Sequence, residues 1–257
     1  MNITNINYEL KDFNYISDIH ADFYADTYPF FNSILKEWIK NSQKSDIVIV
    51  AGDLANRNKV SYNVLKALSE NWKYVFYVDG NHDLYDPVFF ADRKPNRIDG
   101  LLKLTEDIKN LYYMSKDKIF VFNNGIKMAG CNLWYDMDRP EVFSYVMKNM
   151  NDSKYVGMKY ITTESAEDKK FYNNVIDNVD IFVSHVPVVD EFSKDLGFTD
   201  KSYCRTVEIK ENKKYIYGHM HEGKGMELKE MNSVFLTRPV GYSPSKDFEI
   251  GFFEIST

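Results

Sequence analysis

The chain has 257 residues, of which 44% are hydrophobic and 27% charged, and its net charge is −6. This composition excludes an intrinsically disordered chain and is typical of one globular domain with a full core, which we predict to span residues 1–257. The net negative charge, without a block of consecutive Lys or Arg, excludes the broad basic surface with which proteins bind extended duplex DNA.

The number and spacing of the cysteines and the hydropathy of the chain indicate the cellular compartment. Cys131 and Cys204 are too few for a disulfide framework in a chain of this length and do not form a Cys-x-x-Cys pair, so we expect free thiols. No apolar run approaches the length of a membrane span, and residues 1–11 lack the apolar region of a secretory signal. The expectation is a cytoplasmic protein with no membrane partner.

Five short apolar or aromatic runs are predicted to be buried strands, and a residue of metal-binding type follows each of them. In chain order they are residues 13–16, 47–50, 74–78, 181–183 and 215–217. Helical spacing of apolar residues predicts crossover helices over residues 29–39 and 59–70. Alternating strands and helices, with ligand-type residues at the carboxyl ends of the strands, are typical of the active sites of open α/β sheets.

Further strands and two irregular stretches complete the prediction. A second sheet is expected from strands at residues 119–122, 127–131, 233–237 and 248–255. Residues 84–115 combine turn-forming residues with a predicted helix over residues 101–111, and residues 134–174 are helical and charged. Both stretches follow a strand end on the expected site face, so they either shape substrate access as insertions or are surface segments without a role in recognition.

All five histidines lie in short clusters of metal-binding residue types. The clusters are Asp18-Ile19-His20, Gly52-Asp53, Gly80-Asn81-His82-Asp83, Ser184-His185 and Gly218-His219-Met220-His221. Mixed carboxylate, imidazole and amide donors suit Zn, Mn, Fe or Ni better than thiolate-preferring metals. Side chains two residues apart on extended backbone point to the same side, so Asp18 and His20 can bind one ion together, as can His219 and His221. One such pair occurs by chance, but the ordered series predicts a binuclear metal centre.

The ordered series resembles the motifs of the calcineurin-like metallophosphoesterases over roughly residues 13–221. The segment from Thr237 to Tyr242 is similar to one in small stand-alone bacterial and phage members. The resemblance implies an α/β fold, a four-layer αββα sandwich with two mixed central sheets flanked by helices, and two divalent metal ions at the sheet edge. It implies one ion bound by Asp18, His20 and His221, a second bound by Asn81, His185 and His219, and Asp53 as the bridge between them.

The resemblance also implies hydrolysis of a phosphate ester. Two ions about 3.5 to 4 Å apart can share a water as hydroxide and orient an in-line attack on phosphorus. His82 stands where the family has its proton donor, so we expect it to protonate the leaving oxygen or to stabilise phosphoryl charge; the alternative is a structural histidine. Arg57 stands at the phosphate-clamp position and is a candidate substrate-binding residue, with a surface arginine as the alternative.

Two motifs depart from the protein-phosphatase branch of that family. Asn56 replaces the carboxylate that partners the catalytic histidine there, and Asp83 replaces a glutamate. We therefore expect His82 to lack a charged partner that would raise its pKa, and a Ser/Thr protein phosphatase is disfavoured. Asp22 and Asp83 are candidate acceptors that orient a ligand imidazole.

The preferred function is a phosphodiesterase or phosphatase that acts on a small-molecule phosphate ester, including a nucleotide. Alternatives are a single-strand nuclease with the same site and a non-catalytic metal-binding interaction module. The intact ligand set and His82 argue against the module, while the acidic balance argues against a DNA-repair nuclease. A purely structural α/β domain would require five histidines to fall in motif order by chance.

Overall fold

Fourteen strands and five α-helices, together with short 3₁₀ and π helices, make up the regular structure of the computed structural model, which describes residues 1–23, 28–42, 44–85, 96–189, 203–221, 227–230, 232–242, 245 and 247–255. The strands are β1 (Asn2–Ile6), β2 (Asp12–Ile16), β3 (Ile47–Ala51), β4 (Tyr74–Val78), β5 (Leu111–Tyr113), β6 (Lys118–Phe122), β7 (Lys127–Cys131), β8 (Ile181–Ser184), β9 (Val188–Val189), β10 (Arg205–Thr206), β11 (Lys214–Tyr217), β12 (Glu227–Glu230), β13 (Ser233–Thr237) and β14 (Gly251–Glu254). The helices are α1 (Tyr28–Asn41), α2 (Asn58–Ser69), α3 (Asn96–Leu104), α4 (Pro140–Asn149) and α5 (Met158–Val175).

The strands form two large mixed sheets and one small sheet. The five-stranded sheet has the order β14-β2-β3-β4-β5, in which only β14 is antiparallel to its neighbour. The seven-stranded sheet has the order β1-β6-β7-β8-β11-β13-β12, with antiparallel pairs β6–β7 and β12–β13. Strands β9 and β10 form a separate parallel pair.

Alternation along the strands explains how the sheets stack. In β3, Ile47 and Ile49 pack against the second sheet, whereas Val48 and Val50 pack under α1 and α2. Burying each such side chain contributes roughly 1.5 to 3 kcal/mol. On the far side of the seven-stranded sheet, α5 covers Phe182 and Phe235. The predicted four-layer αββα sandwich is therefore confirmed.

Two predicted elements differ from the structure. The helix expected over residues 101–111 lies instead at Asn96–Leu104, and Leu111 begins β5. The Thr105 N–H bonds to the carbonyls of both Leu101 and Leu102, which tightens the last turn and ends the helix. The strand expected over residues 248–255 is limited to β14, because the N–H groups of Phe248 and Ile250 bond to Ser245 and Ser42 instead of to a neighbouring strand.

The described part of the chain also shows the state of the two cysteines and the length and hydropathy of the helices. Cys131 and Cys204 are both buried and form no disulfide with each other, as predicted. Among the residues that the structure describes, no helix is both long and apolar enough to span a membrane.

Candidate metal centre

The histidine and carboxylate clusters follow the carboxyl ends of β2, β3, β4, β8 and β11, which meet at one edge of the two sheets. The segment after β13 closes this edge, since Ser17 pairs with Pro239 across the sheets. The backbone turns abruptly at four cluster residues: φ is 52° at Asp18, 45° at His20, 57° at Asp53 and 69° at His219. A left-handed conformation costs a non-glycine residue about 1 to 3 kcal/mol and is typical of functional sites.

One group of side chains joins Asp18, His20 and His221. The Nε2 atoms of His20 and His221 are 3.0 Å apart, and His221 Nε2 lies 3.3 Å from Asp18 Oδ1. His20 and Asp18 are fully buried, whereas His221 is partly exposed. The three side chains offer one ligand atom each within the space of a single ion. Both carboxylate oxygens of Asp18 also accept the N–H of His219 at 3.0 Å, which connects this group to the next.

The second group surrounds Nε2 of the buried His185. This atom lies 2.9 Å from Asn81 Oδ1 and 3.3 Å from His219 Nδ1. Asp53 lies between the two groups, because its Oδ2 is 3.3 Å from His185 Nε2 and 3.7 Å from His20 Nε2. Its other oxygen, Oδ1, accepts the N–H of His82 at 2.8 Å. The structure thus brings all seven predicted ligand residues together at one edge of the sheets, while their division between two ions stays a prediction.

The atoms around His185 fit a cation. His185 Nδ1 donates to the Ala51 carbonyl at 2.9 Å, so in the neutral ring Nε2 carries a lone pair. That lone pair faces the oxygens of Asn81 and Asp53, an arrangement that is repulsive unless a proton on Nε2 or a bound cation lies among them. Burial by itself opposes a charge on His185, but the carboxylates of Asp53 and Asp18 outweigh burial and raise its pKa to about 10. The donor set and this electrostatic demand both fit a divalent metal ion.

The ionisation states of the other candidate ligands suit coordination. Burial lowers the pKa of His20 and of His219 to about 3, so both rings are neutral at physiological pH. Burial works against the charge of Asp53, but His185, His82 and His20 outweigh it and hold its pKa well below the usual value. Neutral imidazoles and ionised carboxylates are the forms that bind metals.

Two glycines in the motifs make room for this packing. A Cβ atom on Gly52 would lie 2.5 Å from His185 Nδ1, and the φ of Gly52 is +82°. A Cβ atom on Gly80 would overlap with Asp53 Oδ1. The motifs therefore contain glycine before Asp53 and before Asn81 because neighbouring ligands occupy the space of a side chain.

His82 lies beside both ligand groups and contacts an amide. Its Nδ1 is 2.9 Å from Asn56 Oδ1, and its Nε2 is 3.3 Å from the Tyr242 hydroxyl. Its ring stacks on Tyr85, with centroids 4.2 Å apart. Burial lowers the pKa of His82. Together with His20 and Asp53 it forms a third set of closely spaced ligand-type atoms.

The two aspartates expected to orient imidazoles bind backbone groups instead. Asp22 Oδ1 accepts the N–H of Asn56 at 2.9 Å. The Asp83 carboxylate is buried and accepts four backbone N–H groups from the loops that position Asp53 and Asn81. The donors are Asp53 and Gly80 at 2.9 Å, Leu54 at 3.0 Å and Ala55 at 3.3 Å. Both aspartates thus fix the loops rather than the rings.

Several residues around the site lie outside the metal-binding clusters of the sequence. The Tyr135 hydroxyl is 3.2 Å from His219 Nε2, and Tyr242 contacts the rings of His20 and His221 with centroids 4.6 and 4.5 Å apart. Only the position of Tyr242 within the segment after β13 could have suggested its role. Arg57 is exposed at the start of α2 and is not among the described residues that line the cleft, so its role as a phosphate clamp stays a prediction.

A cleft of about 240 Å³ opens above the metal-binding groups. One wall is the segment from Asn149 to Asp152, which belongs to the helical stretch 134–174. Other walls are formed by Tyr85, Tyr203 and Tyr242. Apart from the histidines and Met150, the described lining of the cleft is therefore aromatic, amide and carboxylate in character.

Comparisons with known proteins agree with this geometry. A model of the calcineurin-like phosphoesterase family matches residues 13–223. No curated protein sequence matches the chain. The structure of phosphopantetheinyl hydrolase (PptH) from Mycobacterium tuberculosis is similar with a TM-score of 0.63 and 18% identity, over 90% of this chain and 89% of that chain. TT1561 of Thermus thermophilus is similar with a TM-score of 0.53 and 12% identity, over 89% of each chain. At these identities the two structures share the fold.

Proposed function

The chain belongs to the calcineurin-like phosphoesterase family, and on that premise we propose that this metal-dependent phosphohydrolase uses two divalent ions to cleave a small organic phosphate ester. The observation that supports two ions is the position of Asp53, whose Oδ2 faces Nε2 of both His20 and His185. Asp18, His20 and His221 would bind one ion, and Asn81, His185 and His219 the other. Mn, Fe, Zn and Ni all suit this set of oxygen and nitrogen donors.

When bound, the ions would polarise the phosphoryl group and lower the pKa of the water that attacks phosphorus. The buried rings and carboxylates of the chain form a preorganised site, since their hydrogen bonds hold them in place before substrate arrives. Asp83 fixes the loop of Asp53 through three N–H groups and the loop of Asn81 through the N–H of Gly80, and Ala51 fixes the tautomer of His185.

His82 would protonate the leaving oxygen. The Asn56 carbonyl accepts from His82 Nδ1, so Nε2 is the nitrogen left to exchange a proton with a bound substrate. Nε2 lies 3.3 Å from the hydroxyl of Tyr242, a side chain that lines the cleft. His82 therefore faces the cleft with Nε2, which would donate its proton from the doubly protonated ring, a form that the negative charge of a bound phosphate ester would favour.

The substrate class follows from the size and chemistry of the cleft. Its volume of about 240 Å³ is enough for a small phosphate ester, and its aromatic and amide walls offer contacts to an organic group. The structurally similar protein from Mycobacterium tuberculosis is described as a phosphopantetheinyl hydrolase, which supports a small organic ester. We place phosphodiesters and phosphomonoesters, including nucleotides, in this class.

We further propose that the chain is one domain with a substrate-shaping insertion at residues 134–174. The support is the segment from Asn149 to Asp152, which forms a wall of the cleft. In the other predicted insertion, residues 84–115, positions 86–95 lie outside the described residues. The part that is described includes Tyr85, whose ring stacks on His82.

A metal-exchange assay tests the proposed function. Protein stripped with a chelator and reloaded in turn with Mn²⁺, Fe²⁺, Zn²⁺ and Ni²⁺ should, with at least one of them, hydrolyse p-nitrophenyl phosphate or bis-p-nitrophenyl phosphate, and renewed chelation should abolish the activity. The ratio of diester to monoester rates then ranks the two ester types. Failure to cleave either ester, at any of the four metals, would contradict the proposal.

A further inference from the structure

A buried carboxylate outside the sequence motifs lies against the metal-binding groups. Asp152 is 1% exposed and follows α4 in the insertion, 71 positions after Asn81 in the chain. It lines the cleft together with Asn149 and Asn151. Its Oδ1 atom has no hydrogen-bond partner among the described residues. Surrounding hydrogen bonds at that oxygen therefore do not explain why an acidic side chain is buried here.

Burial raises the pKa of Asp152 to about 6, while hydrogen bonding from the side chains of Asn81 and Tyr85 lowers it. The amide nitrogen of Asn81, Nδ2, is also 3.4 Å from the Tyr85 hydroxyl. A carboxylate only accepts hydrogen bonds, and Nδ2 is the only donor of an asparagine side chain. Nδ2 therefore faces Asp152, and Oδ1 of Asn81 points the opposite way, to within 2.9 Å of His185 Nε2.

The direction of this amide decides whether Asn81 can bind a metal. The oxygen and nitrogen ends of an amide have similar sizes, so packing alone does not distinguish them. Only the oxygen end has lone pairs for a cation. In the reversed orientation, the carbonyl oxygen of Asn81 would face the carboxylate of Asp152, and the NH₂ group would face the site.

We propose that Asp152 is a positioning residue that keeps the Asn81 oxygen directed at the second ligand group and thereby raises the affinity of this group for its ion. The proposal rests on the proposed function, which makes Asn81 a ligand. It also assigns a role to the insertion, since Asp152 connects residues 134–174 to the ligand set. Groups that orient a metal ligand typically contribute 10- to 100-fold in metal affinity.

Calorimetric titration of Mn²⁺ into chelator-stripped protein at pH 8 tests the proposal. Asp152→Ala removes the acceptor and should weaken one of two binding steps by about 10- to 100-fold, while the other changes by less than about threefold. Asp152→Asn retains a carbonyl acceptor and should stay within about fivefold of wild type. Asn149→Ala, an exposed position in the same wall, is the matched control and should bind both ions normally.

A second measurement separates positioning from folding. The melting temperature of the metal-free Asp152→Ala protein reports stability without the ions, and it should lie within a few degrees of wild type. The proposal is wrong if Asp152→Ala binds both ions with wild-type affinity, if both steps weaken equally, or if Asp152→Asn loses as much affinity as Asp152→Ala. Wild-type protein that binds fewer than two ions would instead contradict the proposed function.

Discussion

The Nδ1 atom of His82 lies 2.9 Å from the side-chain oxygen of Asn56. An amide oxygen only accepts hydrogen bonds, so Nδ1 carries the proton and the ring has a defined tautomer. The backbone of Asn56 is in turn held by Asp22. The partner of the proposed proton donor is therefore neutral, in agreement with the prediction from sequence that His82 lacks a charged partner.

Proton donation by His82 should depend on the leaving group. In His82→Ala, we expect kcat for an alkyl phosphate ester to fall by about 10²- to 10⁴-fold, because an alkoxide leaves poorly without a proton. For the p-nitrophenyl ester the loss should be less than about tenfold, because p-nitrophenolate is stable without protonation. Steady-state kinetics with both esters checks this, and metal content serves as control. Equal losses for the two esters would show that His82 has another role.

Asn56 should act through His82. Asn56→Ala leaves Nδ1 without its acceptor, and we expect kcat to fall by about tenfold with little change in KM. The double variant with His82→Ala should be no slower than His82→Ala alone, since an orienting residue has no effect once its ring is gone. A double-mutant cycle on kcat measures this coupling. Additive losses would place Asn56 in a separate role.

The close approach of Gly80 to Asp53 predicts a large effect from one methyl group. Gly80→Ala should displace the Asp53 carboxylate and lower kcat/KM by about 100-fold, as expected for a misplacement of about 1 Å. Gly125→Asn is the control, because a Cβ atom there meets nothing within 4 Å and asparagine tolerates its positive φ. Wild-type kinetics in Gly80→Ala would refute the assigned role of Asp53.

The Asp83 carboxylate should stabilise the fold even without metal. Asp83→Ala leaves four buried N–H groups without their acceptor, and we expect a loss of about 3 to 5 kcal/mol in the free energy of unfolding. Asp83→Asn keeps an acceptor oxygen for two of the four N–H groups but turns an NH₂ group toward the other two, so it should lose about 2 to 3 kcal/mol. Urea unfolding of the chelator-stripped proteins compares the three. A change below about 0.5 kcal/mol in Asp83→Ala would show that the loops do not depend on this carboxylate.

The convergence of the ligands could be predicted from the sequence because it depends on strand ends. Buried apolar runs mark β2, β3, β4, β8 and β11, and parallel strands bring their carboxyl ends to a common edge. Asp18 and Asp53 follow two of these strands directly. The division of the ligands into two groups came from the resemblance and stays a prediction, since Asp53 Oδ2 lies close to His20 as well as to His185.

Other features could not be predicted, because they depend on contacts that leave no local pattern. Strand β1 is half polar with three exposed positions, and β5 has three residues, so neither shows a hydrophobic alternation that identifies a strand. Asp152 meets Asn81 through the tertiary fold alone. The four N–H groups around Asp83 belong to the backbone, which the residue types of a sequence do not reveal.

The most direct test of the account counts the ions that Asp53 brings together. Metal analysis of Mn²⁺-loaded wild-type protein after gel filtration should give two ions per chain. Asp53→Asn, which lacks the bridging carboxylate but keeps its size, should retain at most one ion and lose hydrolysis of both p-nitrophenyl esters. An Asp53→Asn protein that keeps two ions and the wild-type rate would contradict the binuclear centre.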